Sequence, residues 1–171
     1  HWAYAYIKEL AEKGIVLGDE NGKFNPDADV LREEFVKMLV IAADKKTFDV
    51  SCEFVDVPKD SWCYKYISAA YESGIVNGKG NNLFGISECI TREDMAVMIS
   101  NMIDYTPTGD RGNFNDYNMI SDYAKKPVKL LSETEIINGF EDNTFRPHNV
   151  MTRAEAAAVI ARFLNCTQRR N

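Results

Sequence analysis

Apolar positions along the chain fall into short stripes at helical spacing. Ile7, Leu10 and Ala11 stand at i, i+3 and i+4, and so do Ile67, Ala70 and Tyr71, and Val128, Leu131 and Ser132. A second set is cleaner: Phe35, Met38, Leu39, Ala42, then Met95, Met98, Ile99, Met102, then Ala156, Val159, Ile160, Phe163. Each stripe predicts one core-facing helix. The methionines read as packing filler rather than as ligands. The pattern is helix, loop, helix, three times.

The repetition extends beyond the stripes. Trp2 lies 12 residues before Gly14, and Gly18, Phe24 and Arg32 follow that glycine by 4, 10 and 18; Trp62, Gly74, Gly78, Phe84 and Arg92 keep every interval. A third copy holds the frame with Tyr123, Glu135, Ile136, Ile137, Gly139, Phe145 and Arg153, the offsets between copies being 60 and 61. Two helices cannot close a core alone, so the copies are expected to pack with their stripes inward. The expected fold is all-α, with six main helices in a pseudo-threefold bundle. Its units are 1–50, 51–112 and 113–171, together one composite domain, with linkers at Lys45 to Ser51 and Thr106 to Gly112.

Helix ends are legible as well. Gly14 and Gly74 sit where the first helix stops, a place that favours the left-handed conformation, and Glu135 would lose about 1 kcal/mol there. Pro127 predicts a kink or a late start in the third copy's first helix. Thr91 with Asp94, and Thr152 with Glu155, have the spacing of a capping box, which gives all four a structural role. The first copy has Leu31, which cannot cap, before Arg32-Glu33-Glu34.

Arg32, Arg92 and Arg153 each occupy the first position of a second helix, where the dipole mildly disfavours a cation. Neither capping nor the core uses them. Each calls for an anion, from one of two sources. One is an internal carboxylate, such as Asp56 or Asp116 of the segments Phe54-Val55-Asp56 and Phe114-Asn115-Asp116. The other is a ligand carboxylate or phosphate held by the guanidinium fork.

These motifs together resemble those of the S-layer homology family: Phe-Val-Asp-Val-Pro from Phe54, Trp62, Gly74-Ile75-Val76-Asn77-Gly78, then Phe145-Arg146-Pro147 and Thr152-Arg153-Ala154-Glu155. The resemblance covers nearly the whole chain as three tandem modules. It implies an extracellular, noncatalytic anchor within a longer bacterial surface protein, the modules forming a three-pronged spindle with grooves between neighbours. The implied partner is a secondary cell-wall polysaccharide bearing pyruvate ketals on N-acetylmannosamine. The arginines Arg32, Arg92 and Arg153 would meet the charged sugar, and Asp56, Asp116, Gly18, Gly78 and Gly139 would add weaker contacts. Trp2 and Trp62 are open to two uses, stacking on a sugar or the commoner core packing. The first copy lacks the Phe-x-Asp stretch, and Tyr123 replaces tryptophan in the third, so unequal grooves are expected. The alternative is a protein-interaction module whose arginines pair internally.

Composition trims the alternatives. Twenty Lys+Arg against 26 Asp+Glu give a net charge of −6, which argues against a nucleic-acid partner. No apolar run approaches a membrane span, and the start, at His1-Trp2, carries no signal-peptide pattern, as in a cytosolic chain or a piece of a longer secreted one. Cys52, Cys63, Cys89 and Cys166 form no CxxC pair, so no metal or cofactor is expected; idle thiols are the ordinary reading, with a Cys52–Cys63 disulfide open. Asp19-Glu20-Asn21-Gly22 opens like a calcium loop, but Val30 stands at its twelfth position. His148 is expected to be solvent-exposed without a partner. No catalytic motif is present.

Overall fold

The computed structural model describes residues 1–109 and 112–168, leaving Asp110 and Arg111 of the second linker outside. The chain forms α1 (Tyr4–Glu12), α2 (Arg32–Ala42), α3 (Tyr64–Glu72), α4 (Arg92–Ser100), a 3-10 turn (Tyr117–Met119), α5 (Asp122–Glu133) and α6 (Arg153–Gln168). The fold is all-α, and no helix is long and apolar enough to cross a membrane. The stripes face inward as the periodicity predicts: Leu10, Ile67, Val128, Phe35, Leu39, Met95, Ile99 and Ile160 are fully buried. Ala11 is exposed, so the first copy's stripe is narrower than its spacing suggests.

The most extensive helix pairings join different copies: α2 with α3, α4 with α5, and α1 with α6. Each copy's first helix therefore lies on the second helix of the copy before it, and the last pairing closes the circle. This explains why no copy holds a core of its own.

A ring of backbone hydrogen bonds closes the same circle, and the sequence reading did not foresee it. The Val30 N–H donates to the Met151 carbonyl, Met151 to Ile90, and Ile90 back to Val30, at 2.9, 3.0 and 3.1 Å. These three equivalent positions are wholly buried. Single antiparallel bridges flank them at Asp29–Thr152, Leu31–Cys89 and Thr91–Val150. One residue per copy is too short a strand for alternation to reveal. The apolar residue two places before each arginine was the available signal.

Helix ends follow local chemistry. α1, α3 and α5 end alike, with the sixth N–H bonding back to the first carbonyl: Ile15 to Leu10, Ile75 to Ala70, Ile136 to Leu131. Gly14, Gly74 and Glu135 take φ of 69°, 70° and 61°, so Glu135 does adopt the left-handed turn. The expectation of a late start at Pro127 is corrected: α5 begins at Asp122, before the proline, and runs through it. Packing of Ala124, Val128 and Leu131, all buried, holds the helix despite the missing donor.

Candidate functional site: three grooves of unequal build

Each arginine reaches forward into the next copy. Arg32 Nε donates to the Phe84 carbonyl at 3.1 Å, Arg92 Nε to Phe145 at 2.8 Å, and Arg153 Nε to Phe24 at 2.9 Å. The guanidinium lies over the same phenylalanine ring each time. An acid of that next copy completes the site: Asp94 Oδ2 at 2.5 Å from Arg32, Glu155 Oε1 at 3.1 Å from Arg92, and Glu34 Oε1 at 3.7 Å from Arg153. An internal carboxylate thus exists, but it is not the one expected. Asp94 and Glu155 have the spacing of caps and meet the arginines as well. The signal was there, since an acid stands two places after the arginine in every copy.

Capping divides accordingly. Thr152 and Glu155 form the full reciprocal box. Thr91 accepts from the Asp94 N–H at 3.3 Å, but the shorter Asp94 carboxylate turns to Arg32 instead of closing the box. In the first copy Glu34 accepts the Leu31 N–H while Leu31 gives nothing back.

Asp56 and Asp116 do other work. Asp56 accepts the N–H groups of Phe84, Gly85 and Ile86, and Asp116 those of Phe145 and Arg146. Each pins the loop whose phenylalanine carbonyl receives an arginine. Burial would raise the Asp56 carboxyl, but the three backbone donors outweigh it and hold it below the usual carboxylate range. Gly78 and Gly139 leave room for a ring of the same segment: a Cβ would stand 2.6 Å from Phe54 and 2.5 Å from Phe114. At Gly18 the nearest atoms are the backbone of Gly22, at 2.7 Å.

The grooves lie between these elements. The first, about 480 Å³, is lined by the loop at Leu17 and Gly18, by Glu34 and Lys37 of α2, by Arg153 from the third copy and by Trp62 from the second. The third, about 220 Å³, repeats the plan with Gly139, Phe140, Glu155, Arg92 and Trp2. Phe140 is stacked between Arg92 and Arg146, at 4.6 and 3.9 Å. Burial pulls the Arg92 guanidinium below its ordinary value, against the pull of Glu155. Both tryptophans are more than half exposed, Trp2 at 61% and Trp62 at 54%, so the expectation of core packing is overturned.

At the second groove Tyr123 stands in the tryptophan's place, and it is tied down. Its hydroxyl lies 2.9 Å from Asp94 Oδ1 and 3.1 Å from Glu93 Oε1, its one proton shared between the two carboxylates, so Tyr123, Asp94 and Arg32 form one chain. Burial first, then the bond to Asp94, pushes the phenol above its ordinary pKa. Glu93 is itself buried, accepts from Ser121 N and Oγ, and lies 3.5 Å from His148, which therefore has a partner.

All four cysteines are free thiols, and among the described residues no cluster of His, Cys, Asp and Glu is arranged to hold a metal. The S-layer homology domain model matches residues 1–36, 53–96 and 113–157, one segment per copy. The chain belongs to the S-layer homology family. An endoglucanase of Bacillus sp. (strain KSM-635) is 34% identical over 95% of the chain and 18% of its own length. Exoglucanase XynX of Acetivibrio thermocellus is 36% identical over 94% of the chain and 15% of its length. An S-layer protein of Bacillus thuringiensis subsp. finitimus is 29% identical over 95% of the chain and 20% of its length. The chain thus spans a fifth or less of these relatives. Enzymes and a structural surface protein share this stretch, so catalysis is not its common property. It is an S-layer homology module set of the bacterial cell surface, of the kind that anchors longer proteins to the wall.

Proposed function

We propose that the chain holds its parent protein noncovalently to an anionic secondary cell-wall polysaccharide, one carrying pyruvate ketals on N-acetylmannosamine, through its first and third grooves. One observation carries this reading. Trp62 and Trp2 are exposed although the core has no use for them, and each shares a groove with a forward-reaching arginine and its acid. An indole face beside a cation suits a sugar ring bearing a carboxylate. Gly18 and Gly139 line these grooves, while Asp56, Asp116 and Gly78 support the loops.

The test is retention on purified cell walls that retain their polymer. Trp2→Ala/Trp62→Ala changes exposed side chains only, and the double variant is expected to lose retention while keeping its melting temperature. Unchanged retention by that variant, or equal retention on walls stripped of polymer, would sink the reading. A second reading is favoured by Arg32 and Arg92, buried at 4% and 7% exposure in internal ion pairs. A pure assembly module would use its arginines only there, and would bind no glycan in any variant.

A further inference from the structure

The first groove does not end at Trp62. Beside that ring lies a second cleft of about 440 Å³, lined by Lys37, Lys59, Trp62, Tyr64, Lys65 and Tyr66 among others. Lys37 and Trp62 line both cavities, so the two are neighbours across these side chains. The Lys37 ammonium lies 5.5 Å from the centre of Trp62 and 5.7 Å from that of Tyr66, and Lys65 lies 5.0 Å from Tyr66. Such placement holds the cations over ring faces while leaving them accessible to an anion.

None of these three lysines forms an ion pair among the described residues, although the chain carries six more acids than bases by formal count. In so acidic a protein, three unpaired cations around two aromatic rings form a local basic surface. The other copies do not repeat it. Val97 and Ala158 stand where Lys37 does; beside Trp2 the residue equivalent to Lys65 is Ala5, and beside Tyr123, where Lys126 matches Lys65, Ile120 stands in the place of Lys59.

We infer that this cleft is a second subsite, which takes the next negatively charged sugar of a polymer whose first residue occupies the first groove. The inference rests on the wall-glycan reading and adds to it a direction and a length. The polymer leaves the groove across Trp62, its ring faces against Trp62 and Tyr66 and its carboxylate among Lys37, Lys59 and Lys65.

The test compares two probes by calorimetry: the methyl glycoside of pyruvylated N-acetylmannosamine, and a wall-polymer fragment with several such residues in sequence. The variant is Lys59→Gln/Lys65→Gln, which alters two exposed side chains outside the groove. It is expected to bind the fragment roughly threefold to tenfold more weakly, with a shallower salt dependence, and the monosaccharide unchanged. Equal affinities of the variant and the unaltered chain for the fragment would overturn the subsite. So would tight binding of poly-glutamate in the same cleft, which would mark a nonspecific cation patch. If the unaltered chain binds neither probe, the wall-glycan reading falls and the subsite with it. If it binds both and only the lysine effect is missing, the groove stands and the extension alone fails.

Discussion

The first and second grooves are assembled from equivalent positions and differ at the aromatic residue, at the acid that meets the arginine and at the residue that follows the arginine. In the first, Arg153 keeps a long 3.7 Å contact with Glu34, its side chain is 17% exposed, and Trp62 stays more than half exposed with Lys37 over its ring. In the second, Arg32 is at 2.5 Å from Asp94, with 4% of its side chain exposed, and Tyr123 closes over the pair. The adjacent residue follows suit. Glu33 and Glu93 reach into the next copy, to Ser87 and to Ser121, whereas the methyl group of Ala154 has no polar atom to do so. The same repeat has been turned to fastening at one junction and left open at another. A polar group that satisfies a neighbour is no longer available to a ligand.

That contrast is broken most directly through the arginines. Arg32→Ala leaves Asp94 without its cation in a poorly hydrated place and should cost about 3 kcal/mol, the low end for halving a buried pair because Asp94 keeps some contact with water. Arg153→Ala should cost only about 1 kcal/mol, from lost hydrogen bonds to Phe24 and Leu17. Urea denaturation measures both. Equal losses would mean that the two junctions are not fastened differently.

Tyr123→Trp tests the contrast from the other side. It restores the residue found at the other two grooves and removes the hydroxyl from Asp94 and Glu93. The expected price is about 1 kcal/mol, and the expected gain is a site, with calorimetric stoichiometry for a pyruvylated disaccharide rising from two per chain to three. A stoichiometry that stays at two would show that the aromatic hydroxyl is not what closes the second groove.

The same latch has a pH signature. The folded pKa of Tyr123 lies above its unfolded value near 10, so the folded state favours the protonated phenol. The resulting stabilisation is complete below about pH 10 and is lost as pH rises through the folded pKa. Alkaline titration followed by phenolate absorbance should show a late phase in the unaltered chain that Tyr123→Phe removes. A late phase that survives in Tyr123→Phe would assign it elsewhere.

The three copies, the helices and the inward stripes were legible because intervals and apolar periodicity are properties of one dimension. Which helices pair was not: α2 meets α3 across a copy boundary, and stripes do not name their partners. The arginines stood out through their unfavourable dipole position, but their acids were hidden behind a second, local use as caps. Trp2 and Trp62 were visible as repeats, yet only accessibility separates a rim residue from a core residue. The Tyr123 latch depends on Glu93 and Asp94 lying across a junction, about 30 residues away in sequence, and no spacing rule within one copy points there.

The smallest effect sits at the entrance to the third groove's loop. Gly14 and Gly74 adopt the left-handed turn freely, whereas Glu135 is held at φ 61° in the same place. Two backbone terms oppose each other in Glu135→Gly, beside the loss of the side chain's own interaction. Relief of the left-handed penalty favours the variant by about 1 kcal/mol, and the freer unfolded glycine chain takes back roughly half of that. The backbone terms alone leave a gain of about 0.5 kcal/mol, which the loss of the Glu135 side chain's own interaction reduces, so any rise in melting temperature is small. Glycan binding at the third groove should not change, because the turn fixes the start of the loop, while the groove itself depends on Gly139, Phe140 and Arg92. A change in third-groove affinity without a change in stability would show instead that the strained turn positions the groove wall, which would make this junction a third kind, neither fastened nor simply open.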